Sequence, residues 1–214
     1  MTGPRALWIL GAGGHGHVVA DAAAAGGSWS TIRFFDDRSP DRAGVRPWPL
    51  VGHTEDFFAP GEDAERIVAI GDNASRHAAS RRCQSLGLSL ATVIHPAAVV
   101  SAYAAIGPGC FVAAGAVIAF AARLDVACIV NTAASVDHDC ELGAAVHIGP
   151  GARLGGGVGV GCRAWVGLGA VVRHGLSLGV DAVVGAGAVV VTAVADNAVV
   201  MGNPARVRTD RRNA

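Results

Sequence analysis

The chain has 214 residues, 51% of them apolar and only 5% aromatic, with a formal net charge of zero. No basic block marks a nucleic-acid surface, no apolar run is long enough to enter a membrane, and no export signal is legible. All 17 basic residues are Arg, which excludes a Schiff-base lysine. The five Cys form neither a CxxC pair nor a disulfide framework, so the expected compartment is the cytoplasm.

Taken in order, Ala6–Leu10 reads as a buried strand. Gly11-Ala12-Gly13-Gly14-His15-Gly16 follows and satisfies G-x-G-x-x-G ahead of a predicted helix. Such a loop brings backbone N–H groups and a helix N-terminus to a phosphate, although the motif alone is not specific. A second strand, Thr31–Phe35, ends in Asp36 and Asp37, placed either to accept ribose or sugar hydroxyls or to cap a turn. Residues 38–61 read as loop with a short helix near Glu55–Phe58. A third strand at Arg66–Ile70 leads into Gly71-Asp72-Asn73, a helix through about Leu86 and a short strand at Ser89–Val93. Residues 1–92 are thus an α/β, Rossmann-like βαβαβ unit, half of a dinucleotide fold. That size favours a nucleotide, or a nucleotide-linked molecule, over NAD.

From Ile94 the pattern changes. Stepping by six through Val100, Ile106 and Val112 as far as Val190, all 17 positions are Leu, Ile or Val. Four residues after each step lies something small or apolar, such as Ala98, Ala104 and Cys110. A sustained period of six is a solenoid signature. One hexad forms one face, and three hexads close a triangular coil of 18 residues. Each coil buries its interior by stacking on the next. Gly follows the aliphatic residue in eight of the 17 hexads and is expected to turn the corners without Cβ strain. The repeat predicts an all-β parallel helix over 93–195. The tail, 196–214, contains Gly202-Asn203-Pro204 as a turn, and Arg206, Arg208, Arg211 and Arg212 make it basic.

Among the eight His, His138 stands apart, because it lies outside the inward positions and is flanked by Asp137 and Asp139. A carboxylate neighbour fixes a tautomer and stabilises an imidazolium, as a general base requires. Gly156 lies one coil above it, where an unhindered N–H suits an oxyanion. His174 lies one coil further on. His147 follows His138 by half a coil, so the two point apart on one chain and meet only if prisms associate side by side. Convergent metal ligands are lacking, and no metal is expected.

The hexad array resembles the left-handed β-helix acyltransferases, which use acetyl-CoA and are usually trimers. The glycine loop, Phe35-Asp36-Asp37, Ile70-Gly71-Asp72-Asn73, Asn131-Thr132, His138-Asp139, His147 and Gly202-Asn203-Pro204-Ala205 narrow the resemblance. Together they look like the bacterial nucleotide-sugar acetyltransferases, a group spanning the bacillosamine-pathway and perosamine N-acetyltransferases and sialic acid O-acetyltransferase-like proteins. The resemblance implies a homotrimer that moves acetyl from acetyl-CoA to the amino group of a nucleotide-linked 4-amino deoxysugar. An O-acetyltransferase is the alternative, and a non-catalytic nucleotide-binding protein a more distant one. It implies His138 as general base supported by Asp139, His147 assisting near the acetyl group, and Gly156 donating to the thioester oxygen. Leu168 and Ala186 would line the pantetheine groove. Gly13, His15, Gly16, Asp36, Asp37, Gly71, Asn73 and Asn131 would hold the nucleotide-sugar. Two positions depart from the family pattern: Asp139 replaces a longer Glu, and Ala186 stands where a glycine is expected.

Overall fold

A computed structural model describes residues 5–37, 47–60 and 64–208. Its first part is a four-stranded parallel sheet in the order β3-β2-β1-β4, built from β1 (Ala6–Leu10), β2 (Thr31–Phe35), β3 (Leu50–Gly52) and β4 (Ala64–Val68). Three helices accompany it: α1 (Gly14–Gly26), α2 (Thr54–Phe57) and α3 (Asn73–Ser85). The order reverses beside β1, which opens a crevice beyond the strand ends where α/β sheets take ligands. β3 falls within the stretch read as loop, and its register against β2 is irregular. The expected strand at Ser89–Val93 is reduced to a single bridge between Arg66 and Leu90. Leu88 and Leu90 pack on one buried cluster while Leu86 is exposed, and the chain enters the coil at Val93.

Seventeen two-residue strands follow, from β5 (Val93–Ile94) to β21 (Val189–Val190). Every third strand pairs in parallel with 18-residue register, as in His147 opposite Ile129 and Trp165. The stack has three faces: a five-stranded, a six-stranded and an eight-stranded sheet. The second residue of each strand points inward, and Val112, Val130, Ile148 and Val166 are wholly buried beside Cys110, Cys128 and Ala164. Burying each such aliphatic side chain contributes about 1.5–3 kcal/mol. Burial pushes the Cys128 thiol well above its usual pKa, so this thiol is packing.

The glycines that follow the aliphatic residues do not turn the corners. At Gly161 a Cβ would lie 2.5 Å from the backbone N of Val180 on the next coil, so the lack of a side chain permits stacking. The left-handed corner conformation comes two residues later, at Gly157, Gly175 or Asp139. β22 (Val199–Met201) extends the eight-stranded sheet, and β23 (Arg206–Val207) folds back antiparallel on it after the Gly-Asn-Pro turn. Arg211 and Arg212 lie outside the described residues.

The α/β unit docks on the eight-stranded face. Val93, Phe111, Ala113 and Ile129 share one buried cluster with Leu7, Ile9, Val19 and Phe34. Arg76 of α3 bolts the junction. It is fully buried and donates to the carbonyls of Ala127, Ile70, Gly71 and Ala145 and to Asn73 Oδ1, at 2.7–3.2 Å. Among the described residues no carboxylate is within ion-pairing distance of its guanidinium, and burial lowers its pKa to about 10. The second unit thereby receives a fixed positive charge beneath its eight-stranded face.

Candidate active site

The chemistry-bearing residues fall into three places. The first is a pocket of about 370 Å³ at the strand ends, lined by Gly11, Gly13, Gly14, His15, Asp36, Asp37, Thr54 and Gly71. α1 starts here with Gly13 as its N-cap, with no side-chain cap and no acidic residue in its first turn. Its free N–H groups and positive dipole end face the cavity, the arrangement that binds phosphate. Asp36 braces the loop by accepting from the N–H of Ala12 at 2.7 Å. Asp37 accepts from the N–H of Thr54 at 2.9 Å, and that bond holds its carboxyl below the usual range. Gly16 does not line the pocket: a Cβ there would strike the Gly11 carbonyl, so its role is helix–strand packing. Asn73 does not line this pocket either, but faces the neighbouring cleft that holds His147 and Trp165. Its amide N–H bonds go to the carbonyls of Arg163 and Ala164, and its oxygen takes Arg76.

The second place is the seam between the two units. His15 packs edge-on against Phe111, and its ring lies 6.4 Å from that of His147. The buried His15 Nε2 has no hydrogen-bond partner among the described residues. Burial first and the Arg76 charge second pull the pKa of His15 to about 4 and that of His147 to about 3, so both are neutral near pH 7. The tautomer of His147 follows from its neighbour. Asn131 Oδ1 accepts from the N–H of Thr132 at 2.8 Å, which orients the amide so that Nδ2 faces His147 Nε2 at 3.2 Å. Nε2 must then accept, leaving the proton on Nδ1. His147 is thus a neutral donor. Beyond it Trp165 stacks at 6.1 Å.

The third place is the corner between the six- and five-stranded sheets. Asp139 adopts φ 57°, a left-handed turn that Asp tolerates and that Gly157 and Gly175 repeat above. The turn presents His138 to solvent, with its Nδ1 2.8 Å from Asp139 Oδ2. Asp137 instead accepts from the backbone N–H of His138, so Asp139 is the orienting carboxylate. The Asp139 bond and, second, the field of Asp137 raise the His138 pKa. Nε2 is left as the free basic nitrogen, directed at Gly156, where a Cβ would overlap the imidazole. Gly157 donates its N–H to the His138 carbonyl, whereas the Gly156 N–H makes no bond among the described residues. Leu168 and Ala186 stack at a different corner, between the eight- and six-stranded sheets, and Leu168 is 61% exposed. A single chain therefore does not bring them to His138.

Trp165 and Arg76 escaped sequence reasoning. Trp165 carried a signal, since it is the 18-residue successor of His147 at an outward position. Arg76 carried none. No group of three or more His, Cys, Asp or Glu able to hold a metal occurs among the described residues, nor does any helix there have the length and apolarity to cross a membrane.

A parallel coil of hexads carrying an oriented His beside a free N–H, with an α/β unit on its flank whose uncapped helix start faces a pocket, is the architecture of a left-handed β-helix acyltransferase. Residues 6–83 match the family model described as the PglD N-terminal domain. No curated protein matches the sequence. Among solved structures, the acetyltransferase domain of PglB from Neisseria gonorrhoeae, in complex with acetyl coenzyme A, is 42% identical with a TM-score of 0.92, over 96% of this chain and 100% of that one. A histidine variant of perosamine N-acetyltransferase from Caulobacter crescentus, with CoA and GDP-perosamine, is 38% identical with a TM-score of 0.86, over 95% and 97%. WeeI from Acinetobacter baumannii is 25% identical with a TM-score of 0.84, over 95% and 100%. The chain belongs to this family of bacterial nucleotide-sugar acetyltransferases.

Proposed function

We propose that this chain transfers acetyl from acetyl-CoA to the amino group of a nucleotide-linked 4-amino deoxysugar, directly and without an acyl-enzyme, with His138 as general base. The observation that carries the reading is the corner geometry: Nδ1 tied to Asp139 and Nε2 free beside the Gly156 N–H. The sugar amine attacks the thioester carbonyl carbon, and its proton passes to His138 Nε2. The carbonyl oxygen becomes an oxyanion that the Gly156 N–H stabilises. As the C–S bond breaks, the imidazolium returns the proton to the CoA sulfur. The nucleotide diphosphate lies at the α1 N-terminus, with Asp36, Asp37 and His15 around it. His147 donates from Nδ1 to an oxygen of the bound substrates. Amine acceptance draws support from the perosamine N-acetyltransferase, solved with CoA and GDP-perosamine. The cytoplasm, where acetyl-CoA and nucleotide-sugars are both available, is the proposed place of action.

The active unit of this proposal is a homotrimer whose sites lie at subunit boundaries. His138 and the Leu168–Ala186 ladder occupy different corners of one prism, and His147 a third position on it. Three prisms around an axis would bring a corner of one to a face of the next. Exposed Val99, Val117 and Val171 on the six-stranded face, with the Tyr103–Phe120 ring pair at its corner, offer an apolar surface for that contact.

Following CoA release with UDP-, GDP- and dTDP-linked 4-amino sugars against free sialic acids tests the acceptor. Turnover with the amino sugars is expected, and turnover with hydroxyl acceptors alone would replace the reading with O-acetylation. Co-assembled His138→Ala and His147→Ala subunits, each inactive alone, should regain activity. Every mixed trimer has a boundary with both histidines intact. Verified mixed trimers without recovery, or a fully active monomer, would defeat the shared site.

A further inference from the structure

The outward residues of the eight-stranded face form a column of Val93, Phe111, Ile129, His147 and Trp165, one per coil. The first three are buried under the α/β unit, and His147 stands at its edge. Trp165 emerges past that edge with 45% of its surface exposed. It does not emerge onto an open surface: Gly71, Asp72 and Asn73 face it across a cleft of about 460 Å³, with Arg163 and Asp181 at the rim. Gly71 lines this cleft and the glycine-loop pocket alike, so the two cavities lie on either side of one residue without a side chain. The rings of His15, His147 and Trp165 run from one cavity into the other in steps of 6.4 and 6.1 Å.

We propose that Trp165 is the platform for the sugar ring of the nucleotide-linked substrate, and that the Trp165 cleft is the subsite distinguishing a linked amino sugar from the bare nucleotide. The inference rests on the nucleotide-sugar reading given above, and it assigns a residue and a place that the reading does not. A diphosphate seated on the α1 N-terminus has this seam as its exit, so the attached pyranose lies along the ring file. An exposed indole face is electron-rich and takes the weakly positive C–H face of a pyranose. It also attracts an ammonium group more strongly than any other aromatic side chain.

The rest of the cleft suits such a ligand. Arg163 is fixed by two bonds to Asp181, Nε to Oδ1 at 2.8 Å and Nη2 to Oδ2 at 2.5 Å. The Asn73 amide holds the Arg163 and Ala164 carbonyls, so the polar rim is set before any ligand arrives. The charges of Asp72 and Asp181 are balanced by Arg163 and by the buried Arg76 behind Asn73, and His147 is neutral, so recognition in the cleft rests on the indole face and the fixed polar rim.

The test compares wild type with Trp165→Ala and Trp165→Phe, using UDP, GDP and dTDP, each alone and linked to a 4-amino-4,6-dideoxyhexose. By calorimetry, the wild type should bind one linked form more tightly than its bare nucleotide. Trp165→Ala should lose that difference while holding the bare nucleotide unchanged. In turnover, Trp165→Ala should raise KM for the nucleotide-sugar about tenfold, as loss of an aromatic contact implies, with KM for acetyl-CoA unaltered. Trp165→Phe should retain most of the affinity. It should also lose the indole fluorescence change that the linked sugar, and not the bare nucleotide, produces. Equal weakening of bare and linked nucleotide, no change in either, or a changed number of subunits per assembly in Trp165→Ala would overturn the subsite. Binding is measured without turnover, so the two ideas fail separately. A wild type that acetylates an amino sugar while Trp165→Ala keeps its KM refutes only the platform. A wild type that binds the linked sugar through Trp165 and never acetylates it refutes only the amine chemistry.

Discussion

His138 and His147 are nine residues apart in a repeat of constant period, and their surroundings make them chemical opposites. His138 sits on a corner turn in solvent, with carboxylates on both sides, and its pKa is raised. His147 sits on a face half covered by the α/β unit, and burial with the Arg76 charge drives its pKa to about 3. The first leaves its Nε2 open to solvent, and the second is a neutral imidazole with its proton on Nδ1. The coil supplies both positions; what lies beside each decides its use.

The largest way to break this comparison is to remove the proposed base. His138→Ala should lower kcat/KM by about 10²–10⁴, the usual range for a general base. Its melting temperature should not change, because the side chain is 60% exposed. Turnover close to wild type would show that the proton leaves by another route.

A smaller and sharper test lies in Asp139→Asn. The carboxylate raises the His138 pKa, and the base works only when neutral, so the acid limb of the kcat/KM profile should have its midpoint above 6.5. Without the Asp139 charge that midpoint should move to lower pH while the plateau falls about tenfold, as the imidazole loses its orienting partner. A limb that stays in place would assign the titration to another group.

The smallest expected effect is on stability. His15 and His147 have folded pKa values of about 4 and about 3, below the 6.5 of an unfolded histidine. The unfolded chain therefore binds protons first, and stability should fall as pH drops from 6.5 toward 3, with no contribution from these groups above 6.5. His138 has the opposite sign, because a raised pKa stabilises the fold below 6.5 and the contribution is lost as pH rises through its folded value. Melting temperatures measured from pH 7.5 to pH 5 should decline less steeply in His147→Asn. Equal slopes would mean that His147 is more hydrated than its surroundings here imply.

Much of the corner was legible in the chain. A period of six repeated without a break leaves one phase for the strands, and 18 residues per coil place Gly156 over His138 by arithmetic. The glycines were legible as a pattern but not in their cause, because close approach between coils, unlike a left-handed φ, leaves no separate mark in the sequence. Asp137 and Asp139 were indistinguishable as partners of His138, since only the turn at φ 57° shows which carboxylate reaches Nδ1. In the α/β part, β3 was hidden because Leu50–Gly52 is too short and irregular for alternation to register.

By itself, then, the sequence determined the coil, its register and the placing of His138 beneath Gly156 at the corner, because these depend on spacing along one chain and a solenoid turns spacing directly into position. The tertiary structure alone decided the seam. Residue 15 comes beside residue 147, and residue 76 beneath both, only because an apolar patch around Phe111 and Ile129 docks the α/β unit at one height on one face. That docking buries two histidines, which together with the Arg76 charge keeps them neutral, and leaves Trp165 at the mouth of the cleft. Such contacts join residues far apart in the chain, 132 positions for His15 and His147, and their geometry is set by packing between two units, which no local pattern encodes.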